Sequence, residues 1–186
     1  VMGDLDGDGD LDLVVPNFWS DDVSILLGNG DGTFAGAVSY GAGNRPRSAA
    51  VGDLDGDGDL DLAVANYESD DVSILLGNGD GTFAGAVSYG AGGGPRSAAV
   101  GDLDGDGDLD LAVASSGRDD VSVLSGNGDG TFAVAVCYRV GNNPYSVAVG
   151  DLDGDGDLDL AVANYWSGSV SALLGNGDGT FLVAMS

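Results

Sequence analysis

The sequence repeats itself at a fixed period of 49 residues. Gly-Asp-Leu-Asp-Gly-Asp-Gly-Asp-Leu-Asp-Leu begins at Gly3, Gly52, Gly101 and Gly150, and a second block, Gly-Asn-Gly-Asp-Gly-Thr-Phe, begins at Gly28, Gly77, Gly126 and Gly175. No insertion or deletion interrupts either series. A strict period of this length means one supersecondary unit per repeat, each burying its apolar faces against its neighbours. The 186 residues hold a little less than four periods, with Val1-Met2-Gly3 as a stub of the first innermost strand.

Within a period the apolar runs are short, rich in Val, Ile, Leu and Ala, and punctuated by Gly, Asn and Asp, which is the pattern of strands and turns. The second period predicts four strands: Ser48 to Gly52, Leu60 to Ala65, Asp71 to Leu76 and Thr82 to Tyr89. In the third of these, Val72, Ile74 and Leu76 fall on one face, with Ser73 and Leu75 on the other, as a pleat requires. No window sustains a helical period. Four antiparallel strands in about 40 to 50 residues is the arithmetic of a β-propeller blade. The expected fold is therefore all-β, a single repeat domain with blades at 1–40, 47–89, 96–138 and 145–186. Four such blades would stand as a closed or open unit, or form half of a larger ring. In an up-and-down blade, the connections after the first and third strands lie on one face. Those after the second and fourth lie on the other.

The repeated acidic loop carries the chemistry. In the second period it runs Asp53, Asp55, Asp57, Asp59, Asp61, with Gly56 and Gly58 interleaved. Five carboxylates within nine residues repel one another unless a counter-ion is held, and a plain turn needs one or two. Calcium takes six to eight oxygens at about 2.3–2.6 Å, and alternation with Gly lets a tight turn aim several carboxylates inward. That geometry has Asp53, Asp55, Asp57 and Asp61 supplying side-chain oxygens and Asp59 its backbone carbonyl, with Gly58 in the conformation the sharp turn needs. An EF-hand would place Glu at the twelfth loop position, where Val15, Val64, Val113 and Val162 stand instead. Magnesium prefers fewer carboxylates, and no His or thiolate cluster suits zinc.

The acidic loop, the following strand Leu-Ala-Val-Ala-Asn and the later Gly-Asp-Gly-Thr-Phe-Ala-Gly-Ala together resemble FG-GAP or VCBS-type repeats, the blades of β-propellers like that of integrin α-subunits. The resemblance spans nearly the whole chain. It implies calcium ligands at Asp4, Asp6, Asp8, Asp10 and Asp12 in the first period. The same pattern recurs at Asp102, Asp104, Asp106, Asp108 and Asp110, and at Asp151, Asp153, Asp155, Asp157 and Asp159. About four ions, structural in role, are expected. Such propellers have about seven blades, so four departs from the pattern and leaves closure open. The second acidic turn, Asn78-Gly79-Asp80-Gly81, has one Asp per copy and predicts a plain hairpin.

Composition limits the partners. Thirty-one acidic residues face five Arg, with no Lys and no His, for a net charge of -26, while 43% hydrophobic content supports a packed core. Such a chain repels nucleic acid and anionic membranes and attracts cations. No apolar run is long enough to span a bilayer as a helix. The chain opens at Val1 without a leader, as a mature end or an excerpt would. Cys137 stands where Ser39 and Ser88 stand in other periods, and reads as a small filler with no internal disulfide partner.

Variation between periods is confined to the connections on the face opposite the acidic loops. Trp19, Tyr67, Arg118 and Trp166 lie in the connection after the second strand. Arg45, Arg47, Arg96 and Tyr145 lie in the connection after the fourth. All five Arg, including Arg139, fall in or beside these segments. They are the ligand-face candidates, since recognition residues concentrate on loops over a rigid scaffold. The alternative is that the aromatics pack between blades and the Arg residues balance acidic neighbours. Aromatics with Asn and Arg would suit a glycan or an acidic peptide, and similar propellers include lectins and adhesion receptors. The expected function is a calcium-binding extracellular or cell-surface module for adhesion or ligand recognition. A purely structural repeat that self-assembles into a ring, dimer or fibre is the other reading. With no His for a general base and no partner for Cys137, an enzyme is not expected.

Overall fold

A computed structural model describes residues 1–184 and consists of sixteen strands in four sheets, with no helix among the described residues. The first blade holds β1 (Met2–Gly3), β2 (Asp12–Asn17), β3 (Asp22–Leu26) and β4 (Val38–Gly41). The second holds β5 (Pro46–Gly52), β6 (Asp61–Asn66), β7 (Asp71–Leu75) and β8 (Val87–Gly90). The third holds β9 (Pro95–Gly101), β10 (Asp110–Ser115), β11 (Asp120–Leu124) and β12 (Val136–Arg139). The fourth holds β13 (Pro144–Gly150), β14 (Asp159–Asn164), β15 (Ser169–Gly175) and β16 (Phe181–Ala184). Met185 and Ser186, the expected end of the fourth blade, lie outside the described residues. Strands follow chain order in every sheet, and every neighbouring pair is antiparallel. Among the described residues no helix is long and apolar enough to cross a membrane.

The two middle strands of the second blade shift from expectation by one residue, while the innermost and outermost depart further, for visible reasons. The innermost strand of the second blade starts at Pro46 rather than Ser48, because Pro46 pairs with Asn66 across a register shift before Ser48. A first position without a ladder N–H is one a strand tolerates in Pro. The outermost strand is shorter than Thr82 to Tyr89. Thr82 is tied down by the Asp80 carboxylate, only Phe83 bridges to Gly77, and regular pairing resumes at Val87.

Blades stack face to face through three hydrophobic clusters. Leu5, Val14, Val23 and Ile25 of the first blade meet Leu62, Val64, Leu75 and Phe83 of the second. Ala63, Val72 and Ile74 then meet Leu111, Val113, Leu124 and Phe132 of the third, and the third meets the fourth in the same way. The predicted pleat is therefore present: Val72 and Ile74 face the third blade, with Leu76 packed beside them, whereas Leu75 faces the first. Small Ala residues on one face of the second strand let Leu and Val of the next sheet approach closely. Each junction also carries an edge-to-face ring pair, Tyr40 with Phe83, Tyr89 with Phe132 and Tyr138 with Phe181, at centroid distances of 5.4–5.5 Å. Cys137 is exposed, with its Sγ 3.6 Å from Ser122 Oγ, the place where Ser39 and Ser88 meet Ser24 and Ser73.

Candidate functional site

The acidic loops sit at the connection between the first and second strands of each blade, and their backbone is shaped by their own carboxylates. In the second blade Asp53 accepts hydrogen bonds from the Gly56 and Gly58 amides, Asp55 from Asp57 N, and Asp57 from Asp59 N. Gly58 has φ of 94° and Gly56 of 77°, so the alternating glycines take the left-handed turn conformations a Cβ would disfavour.

Three carboxylate oxygens per loop converge within 4.8 Å of one another: Asp4, Asp6 and Asp8; Asp53, Asp55 and Asp57; Asp102, Asp104 and Asp110; Asp151, Asp153 and Asp159. These clusters could hold metal ions, since oxygens bound to one cation of the calcium class lie at such separations. A second observation fits the donor set. Among the described residues, Asp4 Oδ1 is buried with no hydrogen-bond partner, and a buried carboxylate oxygen without a donor is costly unless a cation meets it. Burial comes first among the causes that push Asp6, Asp55, Asp104 and Asp153 above the ordinary carboxylate value, with neighbouring carboxylates adding to it.

Not every predicted ligand joins its cluster. Asp106 and Asp155 stay out of the third and fourth groups, and Asp12 and Asp61 out of the first and second. The seventh-position residues Asp10, Asp59, Asp108 and Asp157 turn their carboxylates toward Gly30, Gly79, Gly128 and Gly177 of the neighbouring hairpin. That orientation leaves the backbone carbonyl as the group they would offer.

The fifth Asp has a role that its place in the motif does not reveal. Asp12, Asp61, Asp110 and Asp159 are buried, and each carboxylate braces two distant backbone amides. Asp61 Oδ2 accepts from Leu54 N at 2.7 Å and Oδ1 from Gly77 N at 2.7 Å, with equivalent pairs in the other blades. One side chain thus ties the start of the acidic loop to the start of the hairpin. Burial pushes Asp110 up to about 6 despite those bonds. The constant spacing between the fifth Asp and the hairpin Gly was the available signal.

The opposite face carries an arrangement of a different kind. Arg47 stacks between Phe18 and Tyr67, with its guanidinium carbon 4.9 and 4.6 Å from the ring centroids. Arg96 stacks between Tyr67 and Tyr145 at 4.9 and 5.0 Å, and Tyr145 lies against Tyr165 at 5.9 Å. At the other end Arg45 lies 5.3 Å from both Phe18 and Trp19 and pairs with Glu68 at 2.9 Å. The result is a ladder of alternating cations and rings crossing all four blades.

Local structure explains the ladder. Arg47, Arg96 and Tyr145 each follow the Pro that opens an innermost strand and are each skipped in the strand register, so they are bulge residues. A bulge re-aims its side chain out of the alternating pattern, here onto the face. Phe18, Tyr67 and Tyr165 are equivalent positions one residue after the second strand, and the amides of Tyr67 and Tyr165 bond to Arg45 and Asn143 carbonyls. Arg47 and Arg96 thus sit between rings held by different blades, whereas Arg45 meets two adjacent rings of one connection.

Of the ligand-face candidates, Trp19, Arg45, Arg47, Tyr67, Arg96 and Tyr145 come together in the ladder, while Arg118 and Trp166 do not. Arg118 lines a separate open cavity of about 490 Å³ with Arg139, Asp119 and Asp120. Trp166 is 74% exposed and Trp19 83% exposed, so neither packs between blades. Phe18 and Tyr165 belong to the ladder and were missed; their 49-residue registry with Tyr67 was the signal. Guanidinium faces are covered by rings; the Arg45 edge is turned to Glu68, and Arg47, which is exposed, offers N–H donors to an anion or a pair of hydroxyls. Among the described residues, Arg96 Nε is buried without a hydrogen-bond partner. Beside the ladder, Pro16, Phe18, Trp19, Pro46 and Arg47 line a cavity of about 360 Å³.

Comparison with known proteins agrees with this architecture. The model for the FG-GAP-like repeat matches residues 4–64, 53–113 and 102–162, and that for the FG-GAP repeat matches 143–183. No curated protein matches the chain. Among solved structures it is similar to an Agrocybe aegerita lectin described as recognising non-reducing terminal N-acetylglucosamine. Identity is 25%, over 99% of this chain and 50% of that one, with a TM-score of 0.63. It is also similar in fold to BBS1N in a complex with ARL6DN, at 18% identity, 100% and 55% coverage and a TM-score of 0.64. A Lactobacillus plantarum protein matches at 16% identity, 93% and 51% coverage and a TM-score of 0.60. The chain spans about half the length of each of these structures.

Proposed function

We propose, from the premise that this chain belongs to the FG-GAP repeat family, that it is a calcium-stabilised β-propeller module that recognises a glycan on the face opposite its metal loops. The observation that carries this reading is the division of labour between faces. Four carboxylate clusters lie on one, and a cation–ring ladder with exposed Trp19 lies on the other. Calcium is the cation the donor set favours, because all donors are oxygen and several are carboxylates. The ions are structural in this reading: they neutralise a loop that braces each blade and take no part in binding.

The setting that suits such loops is extracellular or at the cell surface, where calcium is millimolar. Four divalent ions would also offset about a third of the net charge of -26. Glycan is preferred over a protein ligand because exposed Arg47 offers N–H donors in the same cavity as exposed Trp19, the pairing that hydroxyls and sugar faces use. The lectin that is 25% identical to this chain supports the same class. No catalytic step belongs to this reading.

The test is a glycan array run with calcium, using the intact chain and Trp19→Ala, which removes an 83% exposed side chain. Binding to a defined set of glycans that falls at least tenfold in Trp19→Ala, with an unchanged melting temperature, is expected. A flat array at micromolar protein overturns the glycan assignment.

A further inference from the structure

The third blade breaks the repeat at the connection between its second and third strands. In the first two blades an Asp opens the third strand and has two donors of its own. Asn17 Nδ2 and Ser20 Oγ donate to Asp22 Oδ1 at 2.7 and 2.9 Å, and Asn66 Nδ2 and Ser69 Oγ donate to Asp71 Oδ1 at 2.8 and 2.9 Å. In the fourth blade the same donors meet Ser169, an uncharged residue. The third blade keeps the acid, as Asp120, and loses both donors. Ser115 stands at the Asn position and its hydroxyl donates to the Ala91 carbonyl instead, while Arg118 stands at the position of Ser20, Ser69 and Ser167.

Asp120 is also the most enclosed of the three acids. It is 6% exposed, where Asp22 and Asp71 are half-buried, and its Oδ1 is buried with no hydrogen-bond partner. A carboxylate oxygen in that position is destabilising unless a donor meets it. Two guanidiniums flank it without supplying one. Burial pushes Asp120 above the ordinary carboxylate value and the charges of Arg118 and Arg139 act against that shift, yet among the described residues neither Arg forms an ion pair with it, and both are exposed. Arg139 lies opposite Asp120 in the strand register, where Gly41 and Gly90 lie opposite Asp22 and Asp71. Gly117 stands where Trp19, Glu68 and Trp166 stand in the other blades, and the cavity of about 490 Å³ opens there, lined by Gly117, Arg118, Asp119, Asp120 and Arg139. Asp119 is already engaged, since its Oδ1 accepts from Asn143 N at 2.8 Å.

We propose that this cavity binds a small zwitterion of the α-amino-acid type, its ammonium held by Asp120 and its carboxylate by Arg118 and Arg139. An ammonium brings N–H donors to the buried oxygen that lacks one, and the two guanidiniums offer charge-assisted N–H donors to a carboxylate. Charge decides against a simple acid. Two Arg and two Asp line the cavity, so it is formally neutral, in a chain whose net charge is -26. A ligand of net negative charge is repelled by that field, and one of net positive charge meets two guanidiniums at the rim, whereas a zwitterion leaves the balance unchanged. The cavity shares no residue with the ladder of cations and rings, so this inference and the glycan reading stand or fall separately.

The test is a ligand-observed NMR titration of the intact chain in millimolar calcium, with glycine and the neutral L-α-amino acids as probes and with acetate and methylammonium as the two halves of the zwitterion. At least one amino acid is expected to bind with a dissociation constant below about 1 mM, and each half at least tenfold more weakly. Arg139→Gly restores the residue of the first two blades at an exposed position, and Asp120→Asn removes the charge that holds the ammonium. Each is expected to weaken amino-acid binding at least tenfold. Arg139→Gly is also expected to leave the melting temperature unchanged, which separates loss of the site from loss of the fold. Acetate binding as tightly as the amino acids overturns the zwitterion in favour of a plain anion site. No binding of any amino acid overturns the proposal, as does binding that Arg139→Gly leaves intact.

Discussion

Each blade carries two acidic turns side by side, and they behave in opposite ways. In the second turn the Thr82 hydroxyl and amide both donate to Asp80, holding its carboxyl below the ordinary value, as Thr33, Thr131 and Thr180 do for Asp31, Asp129 and Asp178. In the first, burial and crowding push Asp6, Asp55, Asp104 and Asp153 above it. A carboxylate with its own donors is a finished turn. Several carboxylates that share too few donors form a cluster that could hold a cation. The number of acids matters less than the ratio of acids to donors.

The largest expected effect breaks or sustains this contrast directly. With calcium at about 10 to 100 times its dissociation constant, each loop adds about 1.4–2.7 kcal/mol to the folded state. Four loops together rival the stability of a whole domain. Excess EGTA should lower the melting temperature by more than about 10 °C. An unchanged melt would mean that the first turn is as self-sufficient as the second.

Next in size is the loss of a brace. Asp61→Ala strands the Leu54 and Gly77 amides, both bonded by that one carboxylate, and should cost about 2–4 kcal/mol in calcium by denaturant unfolding. Asn in its place keeps one acceptor and should recover part of that loss. If Ala and Asn were equally mild, the buried Asp would be only a metal ligand and not the tie between the two turns.

The pH dependence should separate the turns as well. Asp110 is raised to about 6, so without calcium its contribution favours folding fully below about 3.8, and that contribution is lost as pH rises through about 6. In EGTA, melting temperature should therefore rise between pH 7 and pH 5. In calcium the trend should reverse, because protons compete for the ligands. The Asp80 group has the opposite sign: its contribution is present above the ordinary carboxylate value and lost only as pH falls below it. A melt in EGTA that is flat between pH 5 and 7 would remove the contrast.

Much of this was legible because the repeat acts as its own control. The period set out the blades, the Gly spacing placed the left-handed turns, and Val72, Ile74 and Leu75 sorted onto the expected faces. What escaped depends on contacts between segments. The Asp61 brace is set by the meeting of a loop and a hairpin sixteen residues away. The ladder needs bulges at Arg47 and Arg96, and a bulge is invisible in an alternating pattern until the partner strand skips a residue. The exposure of Val15 is likewise invisible in the repeat, since its equivalent Val64 is fully buried between blades.

The smallest effect is expected at the turn that needs nothing. Asp80→Ala removes the acceptor for the Thr82 amide and hydroxyl, both at an exposed hairpin tip where water can replace it. The flanking glycines Gly79 and Gly81, with φ of 70° and 77°, carry the conformational demand of the hairpin and are untouched. The melting temperature should fall by less than in Asp61→Ala, and the number of calcium ions bound per chain, measured by calorimetry, should not change. A lost calcium equivalent would place Asp80 in the metal site and join the two turns into one, since its hairpin already lies against the Asp59 carboxylate. An unchanged count with a slightly lower melt would leave the second turn as a hinge that aligns Gly77 for the Asp61 brace, and the first as the only place where the fold waits for an ion.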